Sequence, residues 1–216
     1  MNSLLRPLAL LALSLLAGCS SKPDTPRFHS RPMVHQPPRP PLYVLPTELN
    51  QRFSNEGQPP VHVIEDACVL FRTYPHWREA LLNVKRKWDI DPWYILAFIH
   101  QESSFNPHAL SSANAYGFPQ AKDDTWQWYQ EKTLRWQASR ERFDDASDFI
   151  GWYAHQNLRK NGVNLHDVAG QYLAYHEGLG GFERRSFLSK PWLLDISQKV
   201  ADRALYYQTQ VLNCQW

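Results

Sequence analysis

Hydrophobic positions along most of the chain recur at the spacing of an amphipathic α-helix. From residue 61 onward, apolar side chains return every three or four positions, and no stretch alternates apolar and polar residues as a strand does. We expect helices near residues 61–88, 91–102, 124–136, 144–160, 164–177 and 191–212. The pattern predicts one mainly α-helical domain at residues 61–216.

The first sixty residues follow a different pattern. Arg6 precedes an apolar run that ends near residue 17, which is too short to span a membrane and is typical of a secretory signal. Proline is frequent from there to residue 60 and apolar periodicity is lost, so we expect an extended segment. The sequence predicts a signal peptide at residues 1–18 and a proline-rich tether at residues 19–60.

Export from the cytoplasm predicts a role for each of the three cysteines. Cys19 ends a Leu-Ala-Gly-Cys motif that resembles the bacterial lipobox, whose cysteine is acylated and anchors the chain to a membrane. The serine after it suggests, by the same resemblance, an outer-membrane lipoprotein that faces the periplasm; an ordinary signal peptide with an incidental cysteine is the alternative. In an oxidising compartment we expect a disulfide between Cys68 and Cys214, with two buried free thiols as the alternative.

Composition narrows the classes of partner. The formal net charge of +2 provides no basic field for nucleic acid. The many aromatic residues suit either a helical core or a groove that stacks sugar rings. His100 precedes Glu102 as in the H-x-E motif of zinc deaminases, but the partner motif P-C-x-x-C is absent, as is H-E-x-x-H. We therefore expect no metal site and no nucleic-acid partner.

The helix that begins at Asp91 carries an acid on its apolar side. Ile95, Phe98 and Glu102 share one stripe, so a carboxylate stands where the pattern requires an apolar residue. Burial and the negative end of the helix dipole both disfavour the ionised form, and we expect a raised pKa for Glu102. A raised pKa suits a general acid near neutral pH, whereas position alone also fits a solvated glutamate at a helix end.

The residues after Glu102 match the motifs of a known family. A serine follows it directly, Ser111 lies nine positions later, and Gln120 ends a Gly-Phe-Pro-Gln turn eighteen positions later. An Ala-Tyr-His-Glu-Gly segment at residues 174–178 corresponds to a further family motif, Ala-Tyr-Asn-Ala-Gly. Over roughly residues 74–207, the chain resembles the soluble lytic transglycosylase (SLT) domain of the goose-type lysozyme superfamily. The resemblance implies a lysozyme-like helical fold with a substrate groove.

The resemblance also implies roles for single residues. Glu102 donates and later accepts a proton, while Ser111 and Tyr175 orient it. The implied substrate-binding positions are Ser111, Gly117, Phe118, Gln120, Tyr175 and His176. Simpler structural roles remain open, because Ser111 would also cap a turn, Tyr175 would also fill the core and Gly117 would also serve backbone freedom alone.

Two departures from the family motifs affect this site. Phe118 and Pro119 replace Leu-Met, which changes the apolar contact beside the sugar and removes a backbone N–H. His176 replaces asparagine and is followed by Glu177, so a titratable pair lies near the site. Three interpretations of the pair remain open: it tunes Glu102, Glu177 serves as a second carboxylate that allows hydrolysis, or the pair is only part of a salt-bridged surface.

The implied reaction is cleavage of peptidoglycan between N-acetylmuramic acid (MurNAc) and N-acetylglucosamine (GlcNAc). The muramic acid closes a 1,6-anhydro ring with its own 6-hydroxyl, so one carboxyl group suffices and no cofactor is needed. Two alternatives remain open. One is a muramidase that uses water, and the other is a non-catalytic lipoprotein that binds glycan or a wall-enzyme partner in the same groove.

Overall fold

The computed structural model describes residues 57–214, and α-helices account for most of this range. The expected signal peptide, Cys19 and nearly all of the tether lie outside the described residues. The helices are α1 (Val61–Ile64), α2 (Ala67–Thr73), α3 (Pro75–Trp88), α4 (Pro92–Ser103), α5 (Asp123–Thr133), α6 (Phe143–Asn161), α7 (Val168–Glu183) and α8 (Pro191–Asn213). A short 3-10 helix at Ser186–Ser189 precedes α8. The mainly α-helical class predicted from the sequence is confirmed.

In the part of the chain that the structure describes, pairing between extended segments occurs in the loop between α4 and α5. Within residues 57–214, isolated antiparallel bridges join Tyr116 to Leu110 and to Ala121. None of the helices in this part of the chain is long and apolar enough to cross a lipid bilayer.

Local sequence signals explain where α7 begins, bends and ends. The helix begins later than predicted, because the Asp167 side chain accepts the Gly170 N–H and caps a start at Val168. It also continues to Glu183, beyond the predicted end. Helix α7 is kinked at Gly178, which divides it into two helical segments. Gly178 adopts a φ of 72°, a left-handed conformation that favours glycine.

The catalytic candidate, Glu102, lies at the end of a largely buried helix. Pro92 starts α4, and the Asp91 carboxylate before it pairs with Lys85 at 3.0 Å rather than capping the helix. Every side chain from Tyr94 to Ile99 is buried, as the apolar pattern predicted. Helix α4 packs against α3, α6 and α8. The position of its last turn is therefore set by contacts on several sides.

A disulfide joins the beginning of this region to its end. Cys68 in α2 is bonded to Cys214 after α8, with Cα atoms 5.4 Å apart and a sequence separation of 146. Gln210 reinforces the junction, because its side chain accepts the Ala67 N–H at 2.8 Å and donates to the Glu65 carbonyl at 3.0 Å. The structure thus contains the expected cross-link. A closed loop of this length stabilises the fold by up to about 5 kcal/mol through the unfolded state.

Candidate active site

A groove of about 450 Å³ opens beside the last turn of α4. Its walls come from α4, the loop that leads to α5, and helices α5, α6 and α7. The predicted site residues that line it are Glu102, Ser111, Gln120, Tyr175 and His176. The structure therefore brings together five side chains that the sequence placed in one site.

Glu102 has the environment of a general acid. Its side chain is half-buried, and its Oε1 atom has neither solvent contact nor a hydrogen-bond partner among the described residues. Burial raises the pKa of Glu102 to about 7, and a hydrogen bond from the Tyr172 side chain opposes part of that rise. The carboxyl is thus substantially protonated near neutral pH and has an oxygen not engaged by the protein.

Aromatic rings cause this desolvation. Phe98, one turn before Glu102 on α4, makes edge-to-face contacts with Tyr172 at 5.2 Å and with Tyr175 at 5.4 Å between ring centroids. The negative charge on Glu102 in turn helps to raise the pKa of both tyrosine hydroxyls, which burial already raises, so both stay protonated.

The turn at residues 117–119 is fixed by side chains from three parts of the chain. Its three successive carbonyls each accept one hydrogen bond from a side chain. The donors are Gln120 to Gly117 O (2.9 Å), Ser103 to Phe118 O (3.0 Å) and Tyr175 to Pro119 O (2.5 Å). The turn is thereby tied to the end of α4 and to α7, which holds Glu102 in register with the opposite wall of the groove.

This arrangement changes the role expected for Tyr175. Its hydroxyl donates to the Pro119 carbonyl, so Tyr175 holds the turn. The side chain that hydrogen-bonds Glu102 is Tyr172, one helical turn earlier on α7, which sequence reasoning missed. The spacing of three residues on one helix face was the available signal.

Ser111 has the capping role that the sequence left open, and it also lies at the groove. Its Oγ accepts the backbone N–H groups of Ala115 at 2.9 Å and Ala113 at 3.3 Å, so it caps a turn. The residue also lines the groove. Because both bonds use the oxygen as acceptor, the hydroxyl proton stays available to a bound ligand.

Two predicted substrate-binding residues do not line the groove. Phe118 is only 2% exposed and packs edge-on against the core rings of Trp77 and Phe143, so the expectation that it contacts a sugar is wrong. Gly117, at a φ of 75°, directs this ring inward, and a Cβ there would overlap the backbone of Arg140. Gly117 shapes the site only through the path of the backbone.

Glu177 lines the same groove, but its pKa is lowered whereas that of Glu102 is raised. Its side chain is 2% exposed, and it accepts hydrogen bonds from Lys190 at 2.6 Å and from Ser186. Burial alone would raise its pKa, but the hydrogen bonds from Lys190, Ser186 and His176 outweigh it and lower the pKa. This geometry favours the salt-bridge interpretation over a second catalytic carboxylate.

His176 lies at the edge of the groove, where the family motif has asparagine. Its ring makes an edge contact with Trp192, at 5.3 Å between centroids, and Nδ1 lies 3.5 Å from Glu177 Oε1.

Phe149 and Tyr153 of α6 form another part of the groove wall, and sequence reasoning missed both residues. Their spacing of four residues matched a core stripe, so nothing in the pattern distinguished them.

The geometry does not bring metal ligands together. Within residues 57–214, no three His, Cys, Asp or Glu side chains are placed to hold a metal ion. The Nδ1 atom of His100 lies 2.7 Å from the Tyr207 hydroxyl, and its Nε2 lies 3.6 Å from Glu65. The imidazole is thus engaged with α8 and the segment after α1, and the H-x-E spacing with Glu102 has no structural counterpart.

Comparison with known proteins agrees with the motifs and the fold. A family model described as the transglycosylase SLT domain matches residues 7–214, which is nearly the whole chain. A comparison with curated proteins gave no match. The resemblance inferred from the sequence is confirmed, and the chain belongs to the transglycosylase SLT domain family.

Proposed function

We propose that the protein is a peptidoglycan lytic transglycosylase that uses Glu102 as its only catalytic acid and base. The reaction cleaves the bond between MurNAc and GlcNAc and leaves a 1,6-anhydro-MurNAc end. The observation that carries this proposal is the buried, unpartnered Oε1 of Glu102, whose pKa is raised to about 7, in the groove of an SLT domain. Membership of this family supports action on peptidoglycan.

Glu102 performs both proton transfers. In its protonated form, it donates a proton to the glycosidic oxygen as the bond from that oxygen to C1 of MurNAc breaks. The Tyr172 hydroxyl stabilises the carboxylate that forms. The carboxylate then takes the proton from the MurNAc 6-hydroxyl as that oxygen bonds to C1, which closes the ring and regenerates the acid. A pKa near neutrality lets one group act in both directions.

The state of Glu177 favours ring closure over hydrolysis. Glycosidases that add water usually need a second carboxylate as base or nucleophile. Glu177 is the other carboxylate in the groove lining, and Lys190 and Ser186 occupy its oxygens. The N-acetyl group and the 6-hydroxyl of the substrate supply what a second carboxylate would otherwise provide.

The test is product analysis of purified peptidoglycan digested by the full-length protein. We expect muropeptides one water lighter than reducing-end products, and we expect Glu102→Gln to release almost none. Products with reducing ends would show a muramidase instead. Wild-type protein that sediments with peptidoglycan but releases nothing would support the non-catalytic binding function.

The proposal extends to the location of the enzyme. The lipobox motif at Cys19 and the serine after it support an outer-membrane lipoprotein that faces the periplasm. We expect Cys19→Ala to leave the protein unprocessed or soluble after cell fractionation, with loss of lipid label. Unchanged labelling and unchanged membrane recovery would contradict the anchor and leave the proposed reaction unaffected.

A further inference from the structure

A second cleft, also of about 450 Å³, lies between α3, α5 and α6. Indole rings and cations dominate its lining, namely Trp88, Trp128, Trp152, Lys87, Lys132 and Arg159. Within the described part of the chain, no aspartate or glutamate lines this cleft. We call it the tryptophan–lysine cleft, and the reaction at Glu102 does not use it.

The aromatic part of the cleft offers apolar ring surface to a ligand. Trp152 is 3% exposed and forms the floor, while Trp88 and Trp128 are half-buried. Trp128 meets Trp152 edge-on at 4.6 Å between centroids, and the Lys87 ammonium lies 4.7 Å from the Trp88 ring centroid. Such faces suit ligand groups that carry aliphatic C–H surface.

The charge beneath the cleft is already balanced. The nearly buried Asp148 accepts hydrogen bonds from Lys87 at 2.8 Å, from the Trp88 indole at 2.8 Å and from the Tyr129 hydroxyl at 2.7 Å. Arg135 adds an ion pair at 3.1 Å. Burial would raise the pKa of Asp148, but these donors and the Arg135 charge lower it, so Asp148 stays ionised and compensates Lys87.

Two cations at the mouth of the cleft remain uncompensated. Lys132 is exposed and has no ion pair with any residue that the structure describes. Arg159 donates to the neutral side-chain amide of Gln156 and, within residues 57–214, forms no pair with a carboxylate. A ligand with carboxylates would therefore find an excess of positive charge beside the indole rings.

The cleft shares a wall with the catalytic groove. The Trp152 ring lies 6.0 Å from Phe149 and 6.2 Å from Tyr153 between centroids, and both of these residues line the groove. On α5, Thr125 lines the groove, and Trp128 and Lys132 follow at helical spacings of three and four. One layer of aromatic side chains thus separates the two sites.

We propose that the tryptophan–lysine cleft binds the carboxylate-bearing peptide stems of peptidoglycan, an inference that rests on the proposed function. The lysine and arginine at its mouth match the stem carboxylates, and the indole faces match their aliphatic parts. A glycan strand in the groove carries its stems on the muramic acid residues, one aromatic layer from this cleft. The cleft would thereby select peptide-bearing strands over bare glycan.

Lys132 is the most suitable residue for a test, because it forms no ion pair with any described residue that the substitution would break. The assay measures sedimentation of full-length Glu102→Gln protein, which does not cleave, with intact peptidoglycan and with glycan strands stripped of peptides by an amidase. Adding Lys132→Glu should raise the Kd for intact peptidoglycan about tenfold, because a carboxylate would then face the stem carboxylates. Binding to stripped strands should stay unchanged, and high salt should reduce the difference.

The matched control is Lys199→Glu, which makes the same charge reversal on the exposed surface of α8 outside the cleft. It should leave binding to both substrates unchanged. Adding Arg159→Gln to Lys132→Glu should weaken binding to intact peptidoglycan further.

Four results would overturn the inference. Equal binding of the Lys132→Glu and Lys199→Glu variants to intact peptidoglycan would exclude stem recognition. Equal loss on intact and stripped substrates would assign the cleft to sugar rings. The same sedimentation assay can be run with vesicles of anionic lipid. If Lys132→Glu weakens binding to these vesicles but not to intact peptidoglycan, the cleft would be assigned to a membrane surface. If the protein with intact Glu102 neither binds nor cleaves either substrate, the proposed function itself fails, and the inference fails with it.

Discussion

Two glutamates line one groove and differ in what surrounds them. Glu102 and Glu177 both bury carboxylate atoms, yet the pKa of Glu102 is raised to about 7 whereas that of Glu177 is lowered. Lys190 and Ser186 donate to Glu177, while Oε1 of Glu102 has no donor within the described residues. Burial alone therefore does not make a general acid. Among the described residues, Glu102 has no compensating cation, and this distinguishes it from Glu177.

Activity should provide the largest contrast between the two glutamates. Glu102→Gln keeps the size of the side chain but removes the transferable proton, so anhydro-muropeptide release should fall about a hundredfold to ten-thousandfold. Glu177→Gln should retain activity within about tenfold of wild type, because Lys190 and Ser186 hold the Glu177 carboxylate in its ionised form. Initial rates at equal concentrations of folded protein provide the measurement.

The same two variants can also contradict the assignment of Glu102 as the acid. If Glu177→Gln is inactive while Glu102→Gln stays within a few-fold of wild type, the acid has been misassigned. Far-UV circular dichroism of both variants should match wild type, which separates a lost proton transfer from a lost fold.

Stability should change in opposite directions in the two variants. The folded pKa of Glu102 lies above its unfolded value, so its contribution is complete below about pH 4.5 and is lost as pH rises through about 7. At pH 8, Glu102→Gln should therefore unfold at a higher temperature than wild type. A shift of this size corresponds to at most about 3 kcal/mol, and partial exposure lowers that value.

Glu177 has the reverse linkage. Its folded pKa is lowered, so its contribution is present above the unfolded pKa and is lost as pH falls through the folded pKa. Glu177→Gln should thus unfold at a lower temperature than wild type at pH 8. The lost charged hydrogen bond should lower the free energy of unfolding by about 1–3 kcal/mol. Melting curves at pH 8 test the sign of each effect. At pH 5 the effect of Glu102→Gln should shrink, whereas that of Glu177→Gln should persist because pH 5 still lies above the unfolded pKa of a glutamate. Destabilisation of both variants at pH 8 would remove the distinction between the two environments.

The sequence was sufficient to single out Glu102 as the candidate acid because the relevant signal is local. An acid on an apolar stripe of one helix shows in periodicity, and the spacing to Ser111 and Gln120 shows in the motif. The partners of Glu177 were not visible in this way. Ser186 lies in the 3-10 segment and Lys190 just before α8, and their approach to Glu177 depends on the kink in α7.

The tyrosines and Phe118 show the same limit. Tyr172 and Tyr175 lie one turn apart on α7, and only the position of the Pro119 carbonyl determines which hydroxyl remains for Glu102. The motif placed Phe118 beside the sugar, but the left-handed backbone at Gly117 turns its ring into the core. Tertiary contacts, which periodicity does not encode, decided each of these assignments.

The smallest expected effect concerns Tyr172. It tests whether the hydrogen bond from Tyr172 lowers the pKa of Glu102. The acid must be protonated to act, so activity should fall as pH rises through about 7 in the wild type. Tyr172→Phe removes the hydrogen bond that lowers the pKa of Glu102, so this alkaline limb of kcat/KM should move to higher pH. Tyr175→Phe is the matched control, because its hydroxyl bonds to the Pro119 carbonyl. It should lower the rate without moving the limb. A limb that moves in Tyr175→Phe and stays in place in Tyr172→Phe would reverse the two assignments.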